Sequence, residues 1–576
     1  MPSITLETPQ TDTVAEPLSP PQRLTRGTSE QSEMQIQNPQ RQNSPRHLPV
    51  QEDTEKLLEV LQAGQQLEEE ARWSDALSHY ETALRIYSND SGLMSKFRLA
   101  RFHYDVGRRF HDTSYLKTLR SVSFVEVLRQ YDEIIFRLQS NYVDVLNWDD
   151  FFRHGIQDIE IALRDADFQK QNGLNLPQDK IENFIAAINQ TAAGWEIRNK
   201  DDLRNAVLHL AESSMKQLNL NPVVLLMEFT CGMVNSLDPY TSYLTPGQLA
   251  DTYAMINGKF VGLGVELKSD NESLYIVRVI QNSPAQNAGL RSGDRILFVN
   301  GITTKGKDTD SAADLLQGEE GTTVALTVQH QDETVSKDYS VLRRKIDVPS
   351  VESVRFLTQG LGYVKLIGFQ SNTCTELRNA IRSLEQQGMS CLVLDLRHNP
   401  GGLLQIGVEV ADMFIEDGVI VRTRGRQSSI DTPYMATKKN TLKVPLIVLI
   451  DGDSASASEI VAGAIRDHKR GIIIGSRSYG KGTIQAIMPV DSGTSNTLSA
   501  GLRMTVEKFY SPLGKAYSGT GVEPNINVNA GSRITLAKPF NGKVPVPLPV
   551  LNNSKKDLVI QKAVETAQQF VSSNPL

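Results

Sequence analysis

The spacing of apolar residues changes several times along the chain, and each change predicts a different kind of structure. From residue 53 to about 119, and again from 122 to 245, apolar residues recur at helical spacing. Residues 258–345 switch to short β-branched runs separated by Gly, Asn and Asp, which predicts a small β-rich module. From residue 361 onward, short apolar strands alternate with helical segments. The pattern therefore predicts a multidomain α/β protein.

The N-terminal region combines a polar tail with a helical pair. Residues 1–52 are rich in Pro, Gln, Ser and Thr, so they bury too little apolar surface to offset the entropy of ordering, and we expect a disordered tail. Beyond it, Gly64, Ala76, Tyr80 and Ala83 lie at the spacings of a tetratricopeptide-type helical hairpin. Only one such unit is visible, so a simple amphipathic helical pair explains the pattern equally well.

Composition narrows the class of protein. A chain of 576 residues is too long for one hydrophobic core. The formal net charge of −7 argues against a nucleic-acid-binding protein. Cys231, Cys374 and Cys391 lack the spacing of a zinc site or a disulfide framework. No apolar run reaches the length of a membrane span, and no secretory signal is seen. We therefore expect neither a structural zinc site nor a disulfide framework, and no transmembrane segment.

The stretch DGDSASASEI, residues 451–460, places three serines between an apolar strand and a helix. A strand, a sharp turn and a helix is a layout that exposes a nucleophilic serine in many α/β enzymes. However, Ser456-x-x-Glu459 also fits a capping box, in which the two residues satisfy amides at a helix start. From these residues alone, a nucleophile and a helix cap are both open, and the two are compatible.

A serine hydroxyl needs a neighbouring base to accept its proton. His468 lies at a charged helix end, and His398 lies in a loop without an evident Asp partner, so spacing gives no support to a Ser-His-Asp triad. Lys481, between Gly480 and Gly482, is the other candidate. A lysine acts as a base only if burial lowers its pKa substantially. An ordinary surface lysine in a Gly-rich turn is the alternative.

Two glycine-rich turns are candidates for binding negative charge. The loop Asn399-Pro-Gly-Gly402 follows a buried strand, and Gly401 or Gly402 offers a bare amide for an oxyanion, with the Ala457 amide as second donor. A plain strand-end turn is the alternative. In the β-rich module, a second turn forms a nest of N–H groups suited to a peptide carboxylate; it consists of Gly262, Leu263, Gly264 and Val265.

The β-rich module resembles a PDZ domain, because Ser283-Pro-Ala285 and Gly293-Asp-Arg-Ile296 follow the glycine turn in order. A hairpin shaped by the two glycines is the alternative. Ser454-Ala-Ser-Ala-Ser-Glu-Ile460, followed by Tyr479-Gly-Lys-Gly-Thr-Ile-Gln485, resembles the carboxy-terminal processing (tail-specific) serine protease family. In that family the catalytic lysine lies 25 positions after the serine, which implies a dyad of Ser456 and Lys481.

The resemblance also implies roles for other residues. Gln485 would orient Lys481 by a hydrogen bond, Glu459 would support the site, and Gly401 or Gly402 with Ala457 would form the oxyanion hole. This chain has Tyr240 where the family usually has histidine, and Asp451 where asparagine is usual. Neither departure removes a catalytic group.

Taken together, these features imply an α/β protease core with an inserted β-rich PDZ domain and an added N-terminal helical region. The expected segments are a disordered tail (1–52), a tetratricopeptide-like helical unit (53–120), a helical N-terminal part of the protease (121–257), the PDZ domain (258–345), the Ser/Lys protease core (346–535) and a C-terminal segment with a helix (536–576).

The expected activity is that of a serine endopeptidase that binds free protein C-termini through its PDZ domain and needs no cofactor. The alternative is an inactive scaffold that binds protein tails. Expected partners are proteins or peptides with a free C-terminus, and the N-terminal helices offer a surface for another protein or for self-association. The family usually works outside the cytoplasm, in the periplasm for example. Because no signal peptide is seen, a misplaced start, another export route and a cytoplasmic member all remain open.

Overall fold

The computed structural model describes residues 50–87, 90–269, 273–306, 315–316, 318–331, 333–426, 431–437, 441–490, 500–528 and 557–573. Residues 55–576 form one compact unit. Of the tail predicted for residues 1–52, residues 50–52 are described, as the start of a helix, and the remainder lies outside the described residues.

The described chain up to residue 240 is helical, as predicted. The helices are α1 Val50–Glu69, α2 Trp73–Leu84, α3 Ser91–His111, α4 Thr113–Ser121, α5 Phe124–Asn141, α6 Trp148–Arg164, α7 Ala166–Gln171, α8 Gln178–Ala193, α9 Lys200–Leu218 and α10 Pro222–Asn235. Helix α10 lies at the centre of this region, since every residue from Val223 to Asn235 is buried. Its buried Glu228 accepts hydrogen bonds from Arg109 and Tyr115, which satisfy its charge.

Helices α1 and α2 pack through the residues that predicted a helical hairpin. A Cβ atom at Gly64 would lie 2.3 Å from the Tyr80 ring, so the glycine makes room for the tyrosine. Ala76, Tyr80 and Ala83 are fully buried in the same cluster. Gly64 thus contacts Tyr80, which shares a buried cluster with the two alanines, and the tetratricopeptide-like assignment stays a prediction.

The β-rich module follows β1 Ser242–Leu244 and α11 Pro246–Asn257. Its elements are β2 Lys259–Gly262, β3 Val265–Ser269, β4 Leu274–Val279, α12 Pro284–Asn287, β5 Arg295–Val299, β6 Ile302–Thr303, β7 Thr323–Gln329, β8 Lys337–Leu342 and β9 Arg344–Asp347. The main sheet has the order β3-β4-β5-β7-β8, with β6 paired to β5, so β3 lies at an edge. Strands β2 and β9 pair as a separate ribbon at the two ends of the module. This closure explains how the module is inserted into a longer chain.

Two further sheets form the α/β core. Its elements are β10 Val351–Thr358, β11 Leu361–Leu366, α13 Thr373–Gln386, β12 Cys391–Asp395, α14 Leu404–Asp412, β13 Val419–Gly425, β14 Thr432–Met435, β15 Leu446–Ile450, α15 Ala457–Asp467, β16 Ile472–Gly475, β17 Thr483–Val490, β18 Ala500–Tyr510, β19 Ile526–Asn527 and α16 Leu558–Ser573. One sheet has the order β10-β11-β12-β15-β16-β19. The other has the order β1-β18-β13-β14, with β17 paired to β18.

Strands β12 and β15 position the candidate site. They are adjacent and parallel in the first sheet, and both are buried along their whole length. Because the carboxyl ends of neighbouring parallel strands meet at one sheet edge, the loops after them must lie side by side. One of these loops is the glycine loop and the other carries the three serines.

The remaining sequence expectations concern cysteines and membrane spans. Cys231, Cys374 and Cys391 are free in the structure. Among the described residues, no helix combines the length and the apolar character required to cross a membrane.

Candidate active site

The hydrogen bonds of the three serines separate Ser456 from its neighbours. Ser454 is fully buried, and its hydroxyl donates to the Leu396 carbonyl at 2.8 Å. Ser458 is also fully buried and donates to the Asn399 carbonyl at 2.9 Å. Both hydroxyls therefore bind the turn to the neighbouring loop. Ser456, by contrast, is partly exposed.

The backbone at Ser456 is unlike that of an ordinary helix cap. It has φ of +56° and ψ of −115°, just before α15 begins at Ala457. Helix caps usually have extended backbone angles, and a non-glycine residue at positive φ carries strain. Such strain is concentrated at functional sites because the surrounding structure must hold it in place. The conformation therefore favours a functional role for Ser456 beyond that of a cap.

Glu459 joins the two predicted catalytic segments. Its side chain is fully buried, and its Oε1 accepts hydrogen bonds from the Ser478 hydroxyl at 2.6 Å and the Gly480 N–H at 2.7 Å. Its Oε2 accepts from the N–H of Ser456 at 2.8 Å and of Lys481 at 3.0 Å. Burial raises the pKa of Glu459 to about 7, although these four donors favour the charged form. One carboxyl group thus fixes the two segments against each other.

Lys481 lies in an environment that favours the neutral form of its amine. Burial, together with the nearby Arg503 guanidinium, lowers the pKa of Lys481 to about 8, while Glu459 and Asp238 oppose the shift. Its Nζ lies 4.6 Å from the centroid of the Tyr240 ring, within range of a cation–π contact. An amine with this pKa is partly neutral near pH 7, as a general base must be.

Ser456 and Lys481 are brought together through their backbones rather than through their side chains. Both N–H groups bind the same oxygen of Glu459. No hydrogen bond joins the Ser456 hydroxyl to the Lys481 amine among the described residues. Catalytic hydrogen bonds often form only once substrate is bound, so this spacing is compatible with a dyad.

The glycine loop lies directly against Ser456. A Cβ atom at Gly401 would approach the Ser456 Cβ to 2.7 Å, and Gly401 has φ of +99°, so only glycine fits at this position. Asn399 shapes the loop from within. Its Oδ1 accepts from the Gly401 N–H at 2.9 Å, and its Nδ2 donates to the Leu366 carbonyl at 2.8 Å. The Gly401 N–H is therefore already engaged.

Gly402 is the better candidate for an oxyanion donor. The Gly401 carbonyl accepts from the Phe369 N–H, and the N–H of a trans peptide points away from its own carbonyl, so the Gly402 N–H points away from Phe369. Within the described parts of the chain, neither the Gly402 N–H nor the Ala457 N–H has an acceptor. Of the two glycines left open by the sequence, the geometry favours Gly402, with Ala457 as second donor.

Gln485 does not make the hydrogen bond expected from the sequence. Its Nε2 donates to the hydroxyls of Thr483 at 3.0 Å and Thr505 at 3.2 Å, not to Lys481. The reason is strand register, because β17 places Gln485 opposite Thr505 on β18. Thr505 donates in turn to Asp238, one of the groups that favours the charged form of Lys481. In this conformation any influence of Gln485 on Lys481 is indirect.

His398 has acidic partners that the sequence did not reveal. Its Nδ1 lies 3.0 Å from Asp453 and 3.1 Å from Asp451, since the loops after β12 and β15 meet. The hydrogen bond that His398 donates to Asp453 is the main cause that raises the pKa of His398. The His398 side chain is 70% exposed, and no contact with Ser456 is found in the described structure. Potential ligand atoms of these three residues lie within 4.8 Å of one another, but Arg85 already binds Asp453.

The glycine turn of the β-rich module opens onto a cavity of about 550 Å³. The carbonyls of Leu263 and Gly264 accept from the N–H groups of Ala285 and Ile280. The N–H groups of Leu263 and Gly264 have no acceptor within the described ranges, so they are available to a ligand. Four arginines line the same cavity, against two aspartates: the arginines are Arg101, Arg108, Arg109 and Arg503, and the aspartates are Asp105 and Asp251. The cavity therefore combines a nest of amides with positive charge.

Several residues near Lys481 were missed by sequence reasoning. Tyr240 was noted only as a departure from the family pattern, yet its ring contacts the amine. Arg503 carries no motif, and it influences Lys481 from strand β18. Glu81 and Arg85 lie on or beside helix α2 and contact the loops before Lys481 and Ser456. Their separation of nearly 400 residues along the chain leaves no local signal.

Comparison with known proteins places this chain in a family. The family model described as peptidase family S41 matches residues 360–528, and that of a PDZ domain matches residues 275–330. A carboxy-terminal-processing protease of Bartonella bacilliformis is 38% identical over 304 residues, which are 52% of this chain and 68% of that protein.

Two further proteins are similar to the chain. A protein of Staphylococcus aureus, named as a CtpA-like serine protease, is 33% identical over 373 residues, covering 63% of this chain and 67% of its own. A solved structure of a photosystem II D1 C-terminal processing protease is 26% identical, with a TM-score of 0.39, over 71% of this chain and 94% of its own. This chain belongs to peptidase family S41 and is a C-terminal processing serine-type peptidase with a PDZ domain.

Proposed function

We propose that the chain is an endopeptidase that holds the free C-terminus of a polypeptide in its PDZ domain and cleaves the chain with a Ser456–Lys481 dyad. The observation that carries the dyad is the shared acceptor: Oε2 of Glu459 binds the N–H groups of both residues. Supporting observations are the strained backbone of Ser456 and the lowered pKa of Lys481.

In the acylation step, the Ser456 Oγ attacks the carbonyl carbon of the scissile peptide bond. The neutral Lys481 amine accepts the hydroxyl proton as the new C–O bond forms. When the C–N bond breaks, the protonated amine donates this proton to the departing nitrogen. Lys481 returns to its neutral form, and the acyl group stays on Ser456. Each role requires an amine whose pKa is close to the working pH.

In the deacylation step, water replaces the departed amine. Lys481 accepts a proton from water while the water oxygen attacks the ester carbonyl, and the proton then returns to the Ser456 oxygen as the ester breaks. Both steps pass through a tetrahedral oxyanion, for which the N–H groups of Gly402 and Ala457 are the proposed donors. Removing one such donor in comparable enzymes slows the reaction about 10²–10³-fold.

The β-rich module supplies the proposed tail-binding site. A terminal carboxylate would accept hydrogen bonds from Leu263 and Gly264, while residues upstream of it would pair with the edge strand β3. The arginines lining the same cavity favour an anionic end group. We therefore propose a polypeptide with a free carboxylate as the substrate, with cleavage upstream of the bound tail.

The test compares a flexible peptide carrying a free or an amidated apolar C-terminus. Wild-type protein, Ser456→Ala and Lys481→Ala are each incubated with both peptides, and products are identified by mass spectrometry. We expect cleavage by the wild type only, with the free carboxylate preferred. Cleavage by either variant at the wild-type rate would contradict the dyad. Equal cleavage of both peptides would contradict tail recognition, and tail binding without cleavage would favour a scaffold.

A further inference from the structure

The end of the N-terminal helical pair reaches both loops of the candidate active site. Glu81, on α2, accepts a hydrogen bond from the Tyr479 hydroxyl at 3.0 Å. Arg85, the residue after α2, donates to Asp453 at 3.2 Å, and its guanidinium carbon lies 4.5 Å from the centroid of the Tyr479 ring. Tyr479 precedes Lys481 by two residues, and Asp453 precedes Ser456 by three. One helix end therefore contacts both loops.

Tyr479 carries this contact inward to the amine. Its N–H donates to the Ser454 carbonyl at 3.0 Å, which ties the lysine loop to the serine turn. Its hydroxyl and that of Tyr240 interact, and the Tyr240 ring lies under the Lys481 amine. A continuous series of contacts thus runs from Glu81 through Tyr479 and Tyr240 to Lys481.

The helical pair is built to hold this contact in place. Tyr80 is buried between α1 and α2 and donates to Glu68, while Glu81 and Arg85 lie four residues apart, on one face of the helix. The next helix, α3, supplies buried residues such as Phe102 and Phe110 to the main helical core. Helix α2 is therefore anchored on both sides. The individual surface contacts are weak, since exposed ion pairs contribute little to stability, so their effect on the loops is positional.

We propose that Glu81 and Arg85 are positioning residues, which hold the Tyr479 loop closed over the amine of Lys481 and keep the lysine and serine loops in register. The proposal rests on the proposed role of Lys481 as base. The charged and titratable groups around the amine are Arg503, Glu459, Asp238, Tyr240 and Tyr479. Glu81 and Arg85 both contact Tyr479, and Glu81 also contributes to the raised pKa of Tyr240, so we expect an effect of either residue on Lys481 to pass through these two tyrosines.

The test measures kcat and KM of the full chain from pH 6 to 10 with the free-tail peptide. The variants are Arg85→Ala, Arg85→Lys and Glu81→Ala. The control is Arg72→Ala. Arg72 lies at the opposite end of α2, is about as exposed as Arg85, and binds Asp75 of the same helix rather than a catalytic loop. Circular dichroism and the melting temperature confirm that each variant is folded.

Opening of the loop would hydrate the amine and raise its pKa. For Arg85→Ala and Glu81→Ala we expect the acid limb of kcat to move up by about one pH unit, so that kcat falls about tenfold at pH 7 with KM unchanged. Arg85→Lys keeps the charge but loses the planar stack on Tyr479, so an intermediate shift is expected. Arg72→Ala should match the wild type.

A double variant shows whether the effect passes through Tyr479. Tyr479→Phe removes the hydroxyl that binds Glu81, so adding Glu81→Ala to it should cost little further activity. Profiles of Arg85→Ala and Glu81→Ala that match the wild type would refute the positioning role, and a rise in kcat would indicate obstruction of the site instead. The failure of the dyad itself is distinguishable, because Lys481→Ala would then remain active.

Discussion

Two helices in this protein begin with the same pattern, Ser-x-x-Glu, but the structure uses the pattern in different ways. At the start of α5, Ser123 has extended backbone angles of −83° and 160°, and it exchanges hydrogen bonds with Glu126 as an ordinary capping box. At the start of α15, Ser456 has φ of +56°, and Glu459 binds not only its own helix start but also the loop of Lys481.

The two glutamates also differ in their environments, since Glu126 is partly buried and Glu459 is fully buried. Hydrogen bonds at the surface lower the pKa of Glu126, whereas burial raises the pKa of Glu459 to about 7. A helix cap needs only its own first turn, so it is stable in any exposed position. A buried carboxyl that accepts four hydrogen bonds needs partners from a second segment. The difference shows that burial and long-range partners, more than the motif, distinguish a local cap from a site component.

The largest expected difference lies between the two serines. Ser456→Ala should lower kcat/KM by about 10⁴-fold or more, because it removes the attacking oxygen. Ser123→Ala should leave kcat/KM unchanged and lower the free energy of unfolding by about 1 kcal/mol, the usual contribution of a helix cap. Peptide cleavage and thermal unfolding of both variants measure these effects. The comparison is wrong if Ser123→Ala is the variant that loses activity.

The two glutamates should differ next. In Glu459→Gln, the carboxamide can present only one acceptor oxygen, so its NH₂ group would face two of the four present donors. We expect kcat/KM to fall about 10²-fold, since unpaired buried groups would displace both loops. Glu126→Gln should leave kcat/KM within twofold. Steady-state kinetics of both variants, with the melting temperature as a check on folding, test this. Equal kinetics would mean that Glu459 is only a cap.

The pH dependence of cleavage sharpens the assignment of the base. Because the neutral amine accepts the proton, kcat/KM should rise as Lys481 deprotonates, with a midpoint near pH 8. The rate should therefore increase about tenfold from pH 7 to pH 9. Kinetics at constant ionic strength, with the melting temperature recorded at each pH, measure the profile. A flat profile across this range would argue against Lys481 as base.

Local sequence was sufficient for some parts of this site and not for others. The strand, turn and helix around Ser456, and the glycine loop, depend on neighbouring residues, and the structure has them as predicted. The family spacing selects Ser456 among the three serines. In the structure, the hydroxyls of the other two, Ser454 and Ser458, donate to backbone carbonyls of the neighbouring loop.

Other parts depend on contacts that no local pattern carries. The partners of His398 lie more than 50 residues away, and Glu81 and Tyr479 are separated by 398 residues. The hydrogen bond of the Gln485 side chain to Thr505 depends on the register of the two strands, not on the spacing of Gln485 from Lys481. Strand pairing and domain docking decide these contacts, so they emerge only from the three-dimensional structure.

The smallest expected effect concerns His398, which is the alternative base for Ser456. With Asp453 it has two members of a triad. A histidine base would replace Lys481 in the proposed dyad. However, its ring is 70% exposed, and the acidic partners raise its pKa. A triad histidine would need to bind the serine hydroxyl, whereas the partners of the His398 ring among the described residues are Asp451 and Asp453. We expect His398→Ala to keep kcat/KM within threefold, while Lys481→Ala loses activity. If His398→Ala instead abolished cleavage without lowering the melting temperature, the base would be histidine, and the lowered pKa of Lys481 would need another explanation.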